Sequence, residues 1–203
     1  MNKLQHMGVA TTLYLMAAAT PATDANQIPP RIQSLLTTQD TVLAMKSAKP
    51  LGKDAEGMVV VVRHSLNEGQ QRNPCELIVL KSDGGNLAAS EKNGKVVECT
   101  YNQAARTADP LGLNRNLTVT SSEITYFNEL ARGGTTYTFV WSKEKSAWHL
   151  QHVEASSVQN GDSGVAVYKS ILDYPSSLSW ISLTDFDPKL IRESIVKNRK
   201  TVE

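Results

Sequence analysis

The sequence predicts a mainly β or α+β protein: an antiparallel sheet or sandwich, with a short N-terminal helix and a C-terminal helix. Three observations predict it. Short runs of β-branched or alternating residues recur from Met58 to Tyr168. Gly, Asn, Asp and Pro separate those runs, as turns require. Helix signals fall only at the two ends, and strands do not alternate with helices, which argues against a doubly wound nucleotide-binding fold.

The chain opens on a secretory signal over residues 1–25. Lys3 gives a positive start, and Met7 to Ala19 is an uncharged apolar run. Small residues follow, with cleavage expected after Ala25 or Ala22. The run falls short of the roughly 20 residues a helix needs to span a bilayer, so no stable membrane anchor is expected. Residues 26–203 are then one β-rich domain. Its parts are an N-terminal segment (26–57), a sheet core (58–170) and a C-terminal helical segment (171–203).

Asn26 to Pro30 reads as a linker, and Arg31 to Thr38 as a short helix with Ile32, Leu35 and Leu36 on one side. Thr41 to Ser47 fits helix or strand. Pro50 to Gly57 is a turn-rich loop. Met58 to Arg63 and Glu76 to Lys81 are apolar enough for strands buried on both faces. Ser82 to Gly85 makes a turn, and Asn93-Gly94 is placed to join strands 87–92 and 95–100 as a hairpin. Asn116 to Thr120 and Glu123 to Asn128 are further short strands. From Thr135 to Ser142, Thr135, Tyr137, Phe139 and Trp141 share one face, the pattern of a strand packed on one side. Trp148 to Val153 returns, and Val165 to Tyr168 is another short strand. Tyr174-Pro175 and Trp180 are expected to pack the C-terminal segment onto the sheet. Asp187-Pro188 carries an N-cap and a first-turn proline, and Leu190, Ile191 and Ile195 stripe the helix that follows.

Charge and composition narrow the function. With 21 Lys+Arg against 20 Asp+Glu, the formal net charge is +1. That balance supplies no broad basic field for nucleic acid. Two Cys and four His do not make a multi-cysteine zinc framework, and no cofactor motif is present.

Asn73-Pro74, Leu77 to Leu80, Val96 to Cys99, Ala108 to Gly112, Tyr137-Thr138-Phe139 and Trp148-His149-Leu150 follow one another in a recognisable order. In that order the chain resembles a group of exported bacterial proteins with no settled activity. The resemblance implies a β architecture and an envelope address, and no reaction. It covers about half of the chain, from Met58 to Val153. Two features depart from it. Lys53 replaces a ligand in a loop that is calcium-like in those proteins. The second cysteine they carry close to the Cys99 position is missing here, and Cys75 is present instead.

Several constellations carry chemistry on paper. Cys75 and Cys99 form a disulfide in an oxidising compartment, or stay as two thiols. A plain three-strand meander would put them at opposite ends, too far apart for a bridge, so bonding needs a loop or crossing between them. Gly161-Asp162-Ser163-Gly164 looks like a serine-protease nucleophile loop without the usual flanks; the alternative is a turn. His149, His152 and Glu154 suggest a metal or acid–base cluster. On a regular strand, however, His149 and His152 point to opposite faces. His64-Ser65 ends a strand. Arg106, Asp109, Asn114 and Arg115 lie in a long loop that is either a binding surface or a crossover. Tyr126-Phe127, Tyr137 and Trp141 form either core or an aromatic ligand patch.

The function expected from these residues is non-catalytic binding in the periplasm or outside the cell, with an immunity or inhibitor protein for a toxic effector as one concrete form. Its partner would be a protein of the envelope. The alternatives are a small hydrolase using Ser163 with a nearby His, and a small-molecule or glycan binder lined by Tyr137 and Trp141.

Overall fold

The computed structural model describes residues 28–49, 51, 56–66, 74–83, 86–161 and 164–202. The leader read at residues 1–25, the calcium-like positions 52–55 and the Asp162-Ser163 pair lie outside the described residues.

Two antiparallel sheets form the molecule. The first contains β1 (Thr41–Ala48), β2 (Gly57–Arg63), β3 (Cys75–Asp83) and β4 (Asn86–Asn93), in that order. The second contains β5 (Leu117–Val119), β6 (Glu123–Leu130), β7 (Gly133–Ser142), β8 (Ala147–Gly161), β9 (Gly164–Asp173) and β10 (Lys200–Val202), in the order β10-β9-β8-β7-β6-β5. Helices are short: α1 (Pro30–Gln33), α2 (Gln103–Thr107) and α3 (Arg192–Lys197), with 3-10 turns at Asn114–Asn116 and Pro188–Ile191.

β2 shows why its sequence is apolar throughout. Val59 and Val61 face the second sheet and join a core with Leu43, Leu77, Ile124, Tyr137, Phe139, Trp148 and Leu150. Met58, Val60 and Val62 face the other way, into a smaller cluster roofed by Ile32, Ile28, Leu36 and Leu111. Both faces are dry, so neither alternation nor polar residues appear. β7 alternates instead: Tyr137, Phe139 and Trp141 are buried, and Thr138 and Val140 between them are not.

The ambiguous segment after residue 40 is a strand. Its open edge is covered by the long loop that follows α2. Leu111 N donates to Val42 O (2.9 Å), Leu113 N to Leu43 O (2.8 Å), and Met45 N to Asn114 Oδ1 (2.8 Å). An uncovered edge would offer unpaired backbone groups to another chain.

The hairpin expected at Asn93-Gly94 is not present. β3 and β4 join earlier, with Asp83 opposite Asn86, and β4 ends at Asn93. Residues 95–100 form no strand. The reason is the Asn93 side chain, which turns inward and accepts from Lys95 N (2.6 Å) and Val96 N (3.0 Å). Those amides are therefore spent on a local bend rather than a ladder. Two other elements differ in extent. β8 and β9 run well past the short strands expected from sequence, as one long hairpin. The N-terminal helix is a single turn, with Leu35 exposed beyond it. At the C-terminus, Asp187 caps as expected by accepting from Lys189 N (2.9 Å). Ile191 is buried there, whereas Leu190 is exposed.

Candidate functional site

The bend after Asn93 decides the cysteines. It carries the chain back past the start of β3, so that Cys75 and Cys99 are joined in a disulfide with Cα atoms 6.0 Å apart. The crossing that a meander lacked is this bend.

The long loop is tied to the fold at one of its four candidate residues. Arg106, Asp109 and Arg115 are exposed, but Asn114 spends its carbonyl on the β1 edge. Tyr137 and Trp141 lie between the sheets, and burial with the nearby Glu98 pushes the Tyr137 hydroxyl up to about 12. Tyr126 is buried as well, while Phe127 is exposed on the opposite face of β6.

The parity expected for His149 and His152 is corrected by a β-bulge. The β7–β8 register pairs Val140 with His149 and Thr138 with His152, skipping Gln151. Val140 and Thr138 share the outward face, so both histidines do too; Leu150 and Val153 both remain buried. Each imidazole is engaged. His149 stacks on Trp180 (centroids 4.2 Å apart) and contacts Gln151 Oε1 at 3.2 Å. His152 Nδ1 meets Asp173 Oδ1 at 2.6 Å. Among the described residues no group of three His, Cys, Asp or Glu side chains is arranged to hold a metal ion.

The concavity that brings ionisable groups together lies elsewhere, on the outer face of the first sheet. Period two places Val60 and Val62 on that face, and the ladder continues one residue past β2, where His64 N donates to Pro74 O (2.9 Å). His64 thus follows Val62 onto the outer face. Register sets Glu76 opposite Val62 and Lys92 opposite Ile78, on the same side. α1 and the turn after it form the roof, and Asp40 ends that turn.

The result is a groove of about 280 Å³. Its walls are Ile32, Leu35, Leu36, Ile78 and Leu80, and Asp40, His64, Glu76 and Lys92 line it as well. His64 Nδ1 is 3.1 Å from Asp40 Oδ1, and His64 Nε2 is 3.4 Å from Glu76 Oε2. Lys92 Nζ is 4.0 Å from Glu76 Oε1. Burial works against the Asp40 charge, but donation from Thr37 and His64 outweighs it and holds the carboxyl below its usual range. A second, shallower hollow of about 470 Å³ shares Leu36 and Asp40 and reaches Val42 and Pro110.

Both ring nitrogens of His64 face carboxylates, so an imidazole donating to both must carry two protons. Asp40, His64, Glu76 and Lys92 thus stand in one row beside an apolar cleft. No serine or cysteine lines the groove among the described residues. The sequence marks His64 only as the end of a strand; the signal that finds it is the unbroken period two through Met58, Val60, Val62 and His64.

Fold and groove define a two-sheet β-sandwich with a ligand-sized hollow between its outer face and an N-terminal roof. Compared with protein-family models, curated proteins and solved structures, the chain matches none.

Proposed function

We propose that this chain is an exported, non-catalytic binding protein that takes its ligand into the groove under α1. The observation that carries this reading is the groove itself: aliphatic walls with a few convergent polar groups, the usual make-up of a small-molecule site. A general base must reach a substrate proton, and His64 is held by a carboxylate on each side. Export is supported by the apolar run at Met7 to Ala19 and by the Cys75–Cys99 bridge, since disulfides persist in oxidising compartments. Among the described residues no helix is long and apolar enough to cross a membrane.

The test uses 1-aminoanthracene, an uncharged dye at neutral pH whose emission rises in apolar surroundings. The wild-type protein should give a saturable rise with one site, and Ala89→Trp, which fills the groove from β4, should abolish it with the circular dichroism unchanged. No saturable rise, or an identical rise in the variant, would contradict the reading.

A second reading, an immunity or inhibitor protein docking on another protein, is favoured by a different surface. Val165, Val167 and Ile171 are exposed on one face of β9, and Val202 sits directly across from Val167 on β10. Exposed aliphatic stripes of this kind mark interaction sites. Co-expression with the neighbouring gene's product should give a stable complex that Val167→Asp breaks; independent elution of the two proteins would remove this reading.

A further inference from the structure

We propose that the ligand of the groove is a cationic amphiphile: a protonated amine on an aliphatic body, with the ammonium seated between Asp40 and Glu76. This rests on the groove reading above and adds the headgroup chemistry.

Burial decides the sign of the site. The Asp40 side chain is 6% exposed and the Glu76 side chain 20%, whereas that of Lys92 is 66% exposed. The two carboxylates therefore face the enclosed space, and the ammonium of Lys92 lies out in water. A carboxylate removed from water must be paired or hydrogen-bonded. The His64 ring lies 3.1 Å from Asp40 and 3.4 Å from Glu76. Asp40 also accepts from Thr37 N (3.0 Å), which leaves its other oxygen toward the groove. The mouth sets two enclosed carboxylates against one well-solvated ammonium. An incoming alkylammonium supplies three donors to that spot, with its chain along Ile32, Leu36, Ile78 and Leu80. A carboxylate or sulfate headgroup placed there would meet two like charges. A hydroxyl would gain the apolar contacts without the ion pairs.

Isothermal titration of the oxidised protein at pH 7 with octylamine, 1-octanol and octanoate, each below its aggregation threshold, separates these cases. Octylamine should bind at least about tenfold more tightly than the other two. Hexylamine should bind more weakly than octylamine by roughly fourfold per methylene removed. Glu76→Gln should bring octylamine close to 1-octanol, and Asp40→Asn should do the same. Octanoate binding as tightly as octylamine would overturn the proposal. Equal binding of octylamine and 1-octanol would overturn the headgroup assignment and leave the groove standing. If none of the three binds, the groove reading itself fails.

Discussion

Asn93 is a buried polar side chain whose amide is fully used. Its Nδ2 donates to Leu183 O (2.8 Å) and Phe186 O (2.9 Å), while its Oδ1 holds the bend at Lys95 and Val96. One side chain thus fastens the end of the first sheet to the segment before the C-terminal helix. Asn93→Ala strips buried backbone groups of their partners, each costly to leave unpaired. We expect a loss of about 3 kcal/mol in urea denaturation; a loss under about 1 kcal/mol would show that water replaces the amide without penalty. Glu91 is the opposite case. Burial raises its carboxyl above the ordinary value despite donation from Trp148 N, the nearby Lys81 and the Thr184 hydroxyl. A folded-state pKa above the unfolded 4.5 favours the native state at low pH, and that advantage fades as pH rises through the folded value. At neutral pH the buried charge is therefore a cost. Glu91→Gln should raise the melting temperature at pH 7 and have a smaller effect at pH 4. A lower melting temperature at pH 7 would show that these partners outweigh the burial.

Turns and bulges show where sequence reasoning succeeds and where it stops. The inner face of β7 could be read from Tyr137, Phe139 and Trp141, because alternation is a local property of one strand. β7 opens on Gly133-Gly134, and the structure gives the reason. Gly133 has φ of +140°, and a Cβ there would lie 2.1 Å from Ser156 O. Gly133→Ala should cost at least about 1 kcal/mol, measured by chemical denaturation. An unchanged midpoint would mean that the hairpin relaxes around the methyl. Asn93-Gly94 misleads for a physical reason. The pair suits a hairpin, but the contacts that decide its fate come from Leu183 and Phe186, far along the chain. The bulge at Gln151 is equally invisible locally, since one skipped residue reverses the face of every side chain after it. His64 and Glu76 were each legible as strand-end residues. Their meeting was not, because it depends on the β2–β3 register and on a roof supplied by α1.

At the scale of the whole molecule, two sheets share a core and a third layer, the N-terminal segment, covers the outer face of the first sheet. That third layer makes a groove where a plain sandwich would have a wet surface. The Cys75–Cys99 bridge closes a loop with a sequence separation of 24 across the start of β3 and the end of the bend. By loop-closure entropy it should contribute about 3 kcal/mol. The urea midpoint should fall accordingly in Cys75→Ser/Cys99→Ser, and an unchanged midpoint would place the stability elsewhere.

The central claim is that the hollow beneath α1 accepts an apolar guest. The most direct measurement is a titration of the isotope-labelled oxidised protein with 1-octanol, followed by amide chemical shifts. Saturable shifts should gather at Ile32, Leu36, Val60, Ile78, Leu80 and Ala89, which line the groove. Shifts centred on Val165, Val167 and Val202, or no saturable shifts, would contradict it.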